Sequence, residues 1–445
     1  MFTLLQVGEG RFLRAFLGPM VQEARTRGAW SGRLVVTAPR AHGAGALAQW
    51  AAAGGYSVAV RGPQGTRVLR PEPPDALVDG FAHPQRLQAE VQAAVPLVVV
   101  SNTTEVGLEY HAEPAAAPAT FPGRLTAWLA ARRRAGVGEP VCVIPCELIT
   151  DNGARLRESV LAHAAAWGLD GPGLVAGVAF ADTLVDRIVT PWEAPGAGPL
   201  DCATEPYTAW FIAGVPGWVR RALPFPEITW VEDVGPARRR KLRLLNGTHS
   251  LLAAFGLLLG LGTVGEALGH PALGPFVREA LAVEGVGSFP GGERGEAEAF
   301  GRATLERLSN PAMSDPLSRL ALALGAKLRA RWTPILEGWH QERGDWPPRF
   351  AAGVAAYLHL AVGAPAAVDL ATLDDAAAVA RLRDIAAGRP RDFVQAAAKD
   401  PAWPVPADPG LLDLVSAAHT AMAAGGAAAW LAGRSASSAD IGFRG

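Results

Sequence analysis

The chain has 445 residues, enough for two or three domains. With 49% apolar and 19% charged residues, it has the material for a large core, and disorder is not the default. Basic (41) and acidic (42) residues nearly balance, which argues against nucleic acid as the main partner. Three cysteines, Cys142, Cys146 and Cys202, suit a reducing compartment and do not form a four-ligand zinc pattern.

In chain order, the first strand is expected over residues 2–7. The chain enters it without a basic leader, so no signal peptide is visible and a cytoplasmic location is expected. Further short apolar runs at 34–37, 97–100, 141–144, 174–179 and 228–231 leave room for helices between several of them. Their hydrophobicity is continuous rather than alternating, which suits strands buried on both faces of a parallel sheet. The pattern reads as a Rossmann-type, doubly wound α/β domain over residues 1–234. At Gly235-Pro236, where proline suits the first turn of a helix, the texture changes. Leu317, Leu320, Ala321, Leu324 and Leu328 recur at helical spacing, as do Phe350, Val354, Tyr357 and Leu358. Residues 235–445 are expected to form a mostly helical substrate and catalytic domain, making the whole an α/β plus all-α fold. The most apolar run, 251–264, falls short of the roughly 20 residues of a bilayer span, so no membrane partner is expected.

Strand 2–7 leads directly into Gly8-Glu9-Gly10-Arg11-Phe12-Leu13-Arg14. The first two glycines of G-x-G-x-x-G are present, and Leu13 takes the place of the third. Gly8 permits a tight turn, Gly10 lets backbone approach a pyrophosphate, and the following helix offers its N–H groups to that anion. Gly8, Glu9, Gly10, Arg11 and Phe12 are therefore candidate dinucleotide ligands. The motif alone also describes an ordinary strand–turn–helix; its place on the first strand favours the cofactor. No carboxylate follows 34–37 to bind a ribose 2′-hydroxyl. Arg40, just beyond, is either a 2′-phosphate ligand or a loop arginine. NAD is the expected cofactor, with NADP left open.

Hydride chemistry at a carbinol needs a group to move the hydroxyl proton. A Tyr-x-x-x-Lys pair is absent, because Tyr56, Tyr110, Tyr207 and Tyr357 are followed four residues later by Val60, Pro114, Phe211 and Ala361. Catalytic zinc lacks the cysteines, and the histidines show neither H-x-x-x-H nor H-E-x-x-H. Lysine remains. Lys399 lies in a polar turn, whereas Lys241 opens Lys241-Leu242-Arg243-Leu244-Leu245-Asn246-Gly247-Thr248-His249. On a regular helix Lys241, Asn246 and His249 fall within an arc of roughly 140°. Three neighbouring arginines and a nearby helix start favour the neutral amine. Such an amine can take and return a hydroxyl proton while Asn246 and His249 hold the developing alkoxide. The plainer alternative makes Asn246-Gly247 a helix irregularity and His249 a core histidine.

The run Lys-x4-Asn-Gly-x-His, as Lys241 to His249, resembles the signature of the polyol-specific long-chain dehydrogenases, the mannitol dehydrogenase family. Gln6-Val7-Gly8-Glu9-Gly10-Arg11-Phe12, Ser101-Asn102-Thr103-Thr104-Glu105, Ile144-Pro145-Cys146-Glu147-Leu148-Ile149 and Thr183-Leu184-Val185-Asp186-Arg187-Ile188 are similar to further blocks of that family, so the likeness covers nearly the whole chain. It implies a metal-independent, nicotinamide-dependent enzyme, with Lys241 as general acid/base and Asn246 and His249 as substrate-oxygen ligands. Ser101, Asn102 and Thr103 would lie near the nicotinamide ribose. The resemblance also implies a substrate-side helix carrying Arg319 and Lys327, which, eight apart, would share a face and could pair with a sugar-acid carboxylate; surface cations are the bland alternative. Asp182 stands where mannitol-type members carry Asn; an added carboxylate near the substrate oxygen would favour the charged form of Lys241 or need a partner such as Arg187. Glu205-Pro206-Tyr207-Thr208-Ala209-Trp210 continues to Ala213-Gly214 instead of an acidic pair. That loss, with the blocks at 101–105 and 144–149, leans toward the uronate-reducing branch. The expected activity is interconversion of D-altronate and D-tagaturonate by a monomer or small homo-oligomer. Fructuronate reduction and oxidation of mannitol at C2 are its rivals, and an NAD-sensing regulator without turnover is the rival from another class.

Overall fold

The computed structural model describes residues 1–313, 315–363, 368–389 and 392–435. The chain divides into two compact units, Met1–Ala237 and Arg238–Gly445.

The strands of the first unit are β1 Phe2–Val7, β2 Gly32–Thr37, β3 Val58–Gly62, β4 Gly65–Leu69, β5 Ala76–Leu77, β6 Leu97–Ser101, β7 Val141–Pro145, β8 Val178–Phe180, β9 Asp182–Asp186, β10 Val189–Pro191, β11 Cys202–Thr204, β12 Ala209–Ala213 and β13 Ile228–Trp230. Among the described residues, parallel pairing in the order β5-β2-β1-β6-β7-β8 makes a six-stranded sheet. This is the doubly wound order, with its switch of direction between β1 and β6. Alternate residues supply two separate cores. Leu4, Val36, Val98, Val100 and Ile144 pack on one face, and Leu5, Val7, Val35, Val99 and Val143 on the other. Helix Arg11–Thr26 covers the first face through Leu13, Phe16, Leu17 and Met20. Helices Phe121–Arg134 and Asn152–Ala166 cover the second through Leu125, Leu129, Leu156 and Val160. Burial on both sides is why these strands read as unbroken apolar runs.

Two strand expectations are corrected. Within 174–179 the chain is first helical, Gly171–Val175, and only then forms β8. Pro172 in the first turn and the Asp170 carboxylate, which accepts from Gly173 N at 3.0 Å, start that helix. Strand β13 forms, but in a separate mixed sheet ordered β13-β12-β9. A further sheet, ordered β10-β11-β3-β4, has short strands and the largely exposed β4, so no long apolar run marks it.

The second unit is helical. After β13 the described residues contain only an isolated bridge, Thr263 with Pro316. From Gly235 the backbone runs as an α segment Gly235–Arg240, a π segment Lys241–Asn246 and an α segment Gly247–Leu258. Leu251 and Phe255 enter a core with Trp332, Ile335, Phe350 and Tyr357. A second π segment, Ala280–Gly285, lies against the first: a Cβ on Gly285 would sit 3.1 Å from Leu244 Cδ2. The helical pattern over 317–328 is broken. Leu317–Leu320 ends in a turn with Ala323 at φ 51°, and Leu324–Arg343 begins anew. The apolar spacing persists because Leu317, Ala321, Leu324 and Leu328 enter the same core from both sides of the break. Among the described residues, the alanine-rich Pro409–Arg434 has the length and composition to cross a membrane (mean hydropathy 1.2). Its backbone turns at Gly426, and Leu411, Val415 and Leu431 lie in the unit's core.

Candidate active site

The glycine loop sits at the carboxyl end of β1. Gly8 adopts φ 140°, and a Cβ there would lie 2.9 Å from Asn102 O and 3.0 Å from Leu13 Cδ1, so glycine is required. Leu13, in the third glycine position, fills the space against Gly8 and is buried. Gly10 caps the helix Arg11–Thr26 without a side-chain hydrogen bond, no acid occupies the first turn, and nothing lies within 4 Å of where its Cβ would be. This leaves uncapped N–H groups and open space, which fits a pyrophosphate. Arg14, buried, donates to the Glu9 carbonyl and, through Nε, to Leu200 O at 3.0 Å, while Tyr56 donates to the Arg14 carbonyl. Arg11 is exposed, and Phe12 stacks on Phe16 with centroids 4.9 Å apart.

The ends of β6 and β7 adjoin this loop. Asn102 N donates to Val7 O, and Asn102 Nδ2 donates to Cys146 O at 3.1 Å. Glu147 lies beneath, accepting from Ser101 Oγ at 3.1 Å, Thr103 N at 2.8 Å and Thr103 Oγ1 at 3.0 Å. Burial raises its pKa, and the hydrogen bonds from Thr103 and Ser101 oppose that rise. Ser101, Asn102 and Thr103 are thus held as one rigid group at the switch point, where doubly wound sheets bind ligands. Arg40 is exposed and donates to Thr104 Oγ1 at 2.8 Å. Beside it is a cavity of about 360 Å³ lined by Pro39, Arg40, Phe81, Thr103, Val106 and His111, among others.

Asp182 and Arg187 do not meet. Asp182 accepts from Gly153 N at 2.9 Å, at the start of helix Asn152–Ala166, where the helix dipole favours an anion. Arg187 donates to Ala15 O at 2.7 Å and Glu205 O at 3.2 Å. It therefore ties the first helix to the strand–loop that follows β9, and the expected Asp182–Arg187 partnership is corrected. An odd separation along extended chain points the two side chains to opposite faces.

In the helical unit, Lys241 and Asn246 are half-buried and His249 is buried. In ideal geometry a π segment narrows the arc on which they stand. A π turn carries i→i+5 bonds and about one residue more than an α turn, so each residue advances roughly 80° and the three idealise to an arc of about 60°. Carbonyls at the end of this turn also accept from side chains. Arg331 NH1 donates to Asn246 O at 3.1 Å and Ser250 Oγ at 3.0 Å, and Trp332 Nε1 donates to Gly247 O at 3.0 Å. Of the arginines flanking Lys241, Arg239 pairs with Glu293 at 2.9 Å and Arg240 with Glu296, and Arg243 donates to Ser288 O at 2.7 Å. Arg239 and Arg240 are thus each met by a glutamate.

Arg319 and Lys327 are separated by the break at 321–323, so they share no helix. This corrects the common face expected from their spacing. Arg319 is exposed and pairs with Asp315, and Lys327 Nζ donates to Leu320 O at 3.1 Å. Among the described residues, no group of three His, Cys, Asp or Glu is placed to hold a metal ion. Arg14, Glu147, Arg331 and Trp332 also form the site, beyond the residues expected from sequence. The first two lay inside quoted motifs, where a polar residue amid apolar neighbours was the available signal. The last two carried none.

Two family models match the chain: the mannitol dehydrogenase Rossmann domain over residues 3–217 and the mannitol dehydrogenase C-terminal domain over 233–400. The chain belongs to the mannitol dehydrogenase family. As a mannitol dehydrogenase family member it is an oxidoreductase acting on CH–OH groups. Its relatives include the altronate oxidoreductase of Halalkalibacterium halodurans, 33% identical over 383 residues that cover 80% of this chain and 74% of that one. The altronate oxidoreductase of Bacillus subtilis is 30% identical, covering 80% and 79%, and that of Klebsiella pneumoniae is 31% identical, covering 86% and 84%. Among solved structures, Pseudomonas fluorescens mannitol 2-dehydrogenase in a ternary complex with NAD and D-mannitol superimposes with a TM-score of 0.73 at 20% identity, covering 97% of this chain and 94% of that one. A D-sorbitol dehydrogenase in substrate-free form gives a TM-score of 0.75 at 21% identity, covering 96% and 94%. Both share the family fold.

Proposed function

We propose that this mannitol dehydrogenase family member interconverts D-altronate and D-tagaturonate with a nicotinamide dinucleotide. The observation that supports the reading is the π turn Lys241–Asn246, whose idealised geometry sets Lys241, Asn246 and His249 within one arc, in a chain whose relatives bear the name altronate oxidoreductase. The uncapped helix start at Gly10 and the group Ser101, Asn102, Thr103 would hold the dinucleotide. When bound, its nicotinamide ring supplies the hydride acceptor and donor.

The chain's own residues then handle the oxygen. In oxidation, Lys241 Nζ accepts the hydroxyl proton as the carbinol C–H bond breaks; in reduction it returns that proton to the new alkoxide. Asn246 and His249 donate to the oxygen as negative charge grows on it. Arg319 and Lys327 are the candidate partners of the sugar-acid carboxylate, each from its own helix.

A substrate panel tests this. Purified protein with NADH or NADPH, followed by absorbance, is offered D-tagaturonate, D-fructuronate and D-fructose. Tagaturonate should give kcat/KM at least about tenfold above the other two, a difference that contacts to a hydroxyl or carboxylate readily supply. Inert uronates with reduced fructose would overturn the assignment.

A further inference from the structure

We propose that Glu9 reads the adenosine ribose and makes this enzyme selective for NAD over NADP; the proposal rests on the nicotinamide-dependent reading above. In doubly wound dinucleotide enzymes the second strand ends in an acid that accepts from the ribose 2′-hydroxyl. Strand β2 ends here in Thr37-Ala38-Pro39-Arg40, with no acid. A carboxylate reaches that place from the neighbouring loop instead. Gly8 N donates to Thr37 O at 2.9 Å, which lays the glycine loop across the end of β2. Glu9 then turns its carboxyl toward Ala38 and Gly43. A Cβ on Gly43 would lie 2.5 Å from Glu9 Oε1 and 2.6 Å from Ala38 Cβ, so glycine at 43 leaves the carboxylate its room. The Arg14 guanidinium, itself anchored on Leu200 O, holds the Glu9 carbonyl and fixes the backbone from which the side chain projects.

Glu9 Oε2 is shielded from solvent and accepts no hydrogen bond from the described residues. A buried acceptor without a donor is costly, and a ribose hydroxyl is a donor of matching size. A 2′-phosphate brings negative charge to the same shielded oxygen and is repelled. Arg40, in the loop after β2, is exposed and engaged with Thr104 Oγ1, so solvent screens its attraction for a phosphate.

Isothermal titration of the full-length protein with NADH, NADPH, ADP-ribose and 2′-phospho-ADP-ribose separates the ribose from the nicotinamide end. The wild type should bind each unphosphorylated ligand roughly a hundredfold more tightly than its 2′-phosphorylated partner, as expected of a like-charge clash in a shielded site. Glu9→Gln keeps the size and an acceptor oxygen but removes the charge. It should weaken NADH by a few fold and tighten NADPH about tenfold or more. Glu9→Ala, which needs no new partner, should narrow the discrimination in the same direction. Wild-type binding of both forms within about threefold, or variants that shift both ligands equally, would overturn the proposal. A wild type that prefers NADPH leaves the nicotinamide reading standing and removes only the role of Glu9. A protein that binds neither dinucleotide removes both.

Discussion

Arg331 holds the carbonyl of Asn246, and Trp332 that of Gly247, so the amide proposed to face the substrate oxygen is fixed from behind by the helix Leu324–Arg343. Arg331→Met keeps much of the stem but removes the donor to Asn246 O, leaving that of Trp332 in place. We expect kcat to fall by roughly tenfold with NADH affinity unchanged, since small misplacements of an oxygen ligand are costly to rate. Steady-state kinetics with a binding titration checks this, and an unchanged kcat would mean that the helix alone holds Asn246. At this scale the sequence was half legible. Lys241, Asn246 and His249 fall within a run of nine residues, and helical spacing alone grouped them. Arg331 lies 85 residues from Asn246, and only folding brings it there. The Asp182–Arg187 pairing failed for a local reason: proximity in sequence is not proximity in space when the chain is extended.

Elements were legible where burial was symmetric and obscure where it was not. β1, β2, β6 and β7, dry on both faces, announced themselves as apolar runs, whereas the half-exposed β3 and β4 did not. The π segment at Lys241–Asn246 left no periodic mark, because one extra residue in a single turn is too small a shift for pattern reading. The break at 321–323 was hidden by an apolar spacing that both flanking helices maintain. Helix packing also gives a pH prediction. His359 on helix Pro348–Ala361 stacks on His419 of the helix Pro409–Ser435, with centroids 4.3 Å apart, while Phe393 lies against His419. Burial, helped by His359, pushes the His419 pKa down from 6.5 to about 4. A base depressed in the folded state contributes stability that is present above its ordinary pKa and lost as pH falls through the folded one. Discounted for partial exposure, the loss between pH 6.5 and 4 should be roughly 1–2 kcal/mol. His419→Phe keeps the stacking without the charge. Its denaturation midpoint should therefore fall less than that of the wild type over this range, and parallel curves would refute the assignment.

For the whole molecule, composition and runs foretold an α/β sheet domain followed by helices, and the family blocks placed that order in the mannitol dehydrogenase family. The accessory sheets ordered β13-β12-β9 and β10-β11-β3-β4 were not foretold, because mixed pairing of short strands leaves no sequence period. Lys241→Ala, assayed with and without small primary amines, asks whether an amine moves the proton. Turnover should fall by about a thousandfold with NADH affinity nearly intact, and added ethylamine should restore part of it in proportion to its free base. Turnover within about tenfold of the wild type without added amine would show that Lys241 does not move the proton.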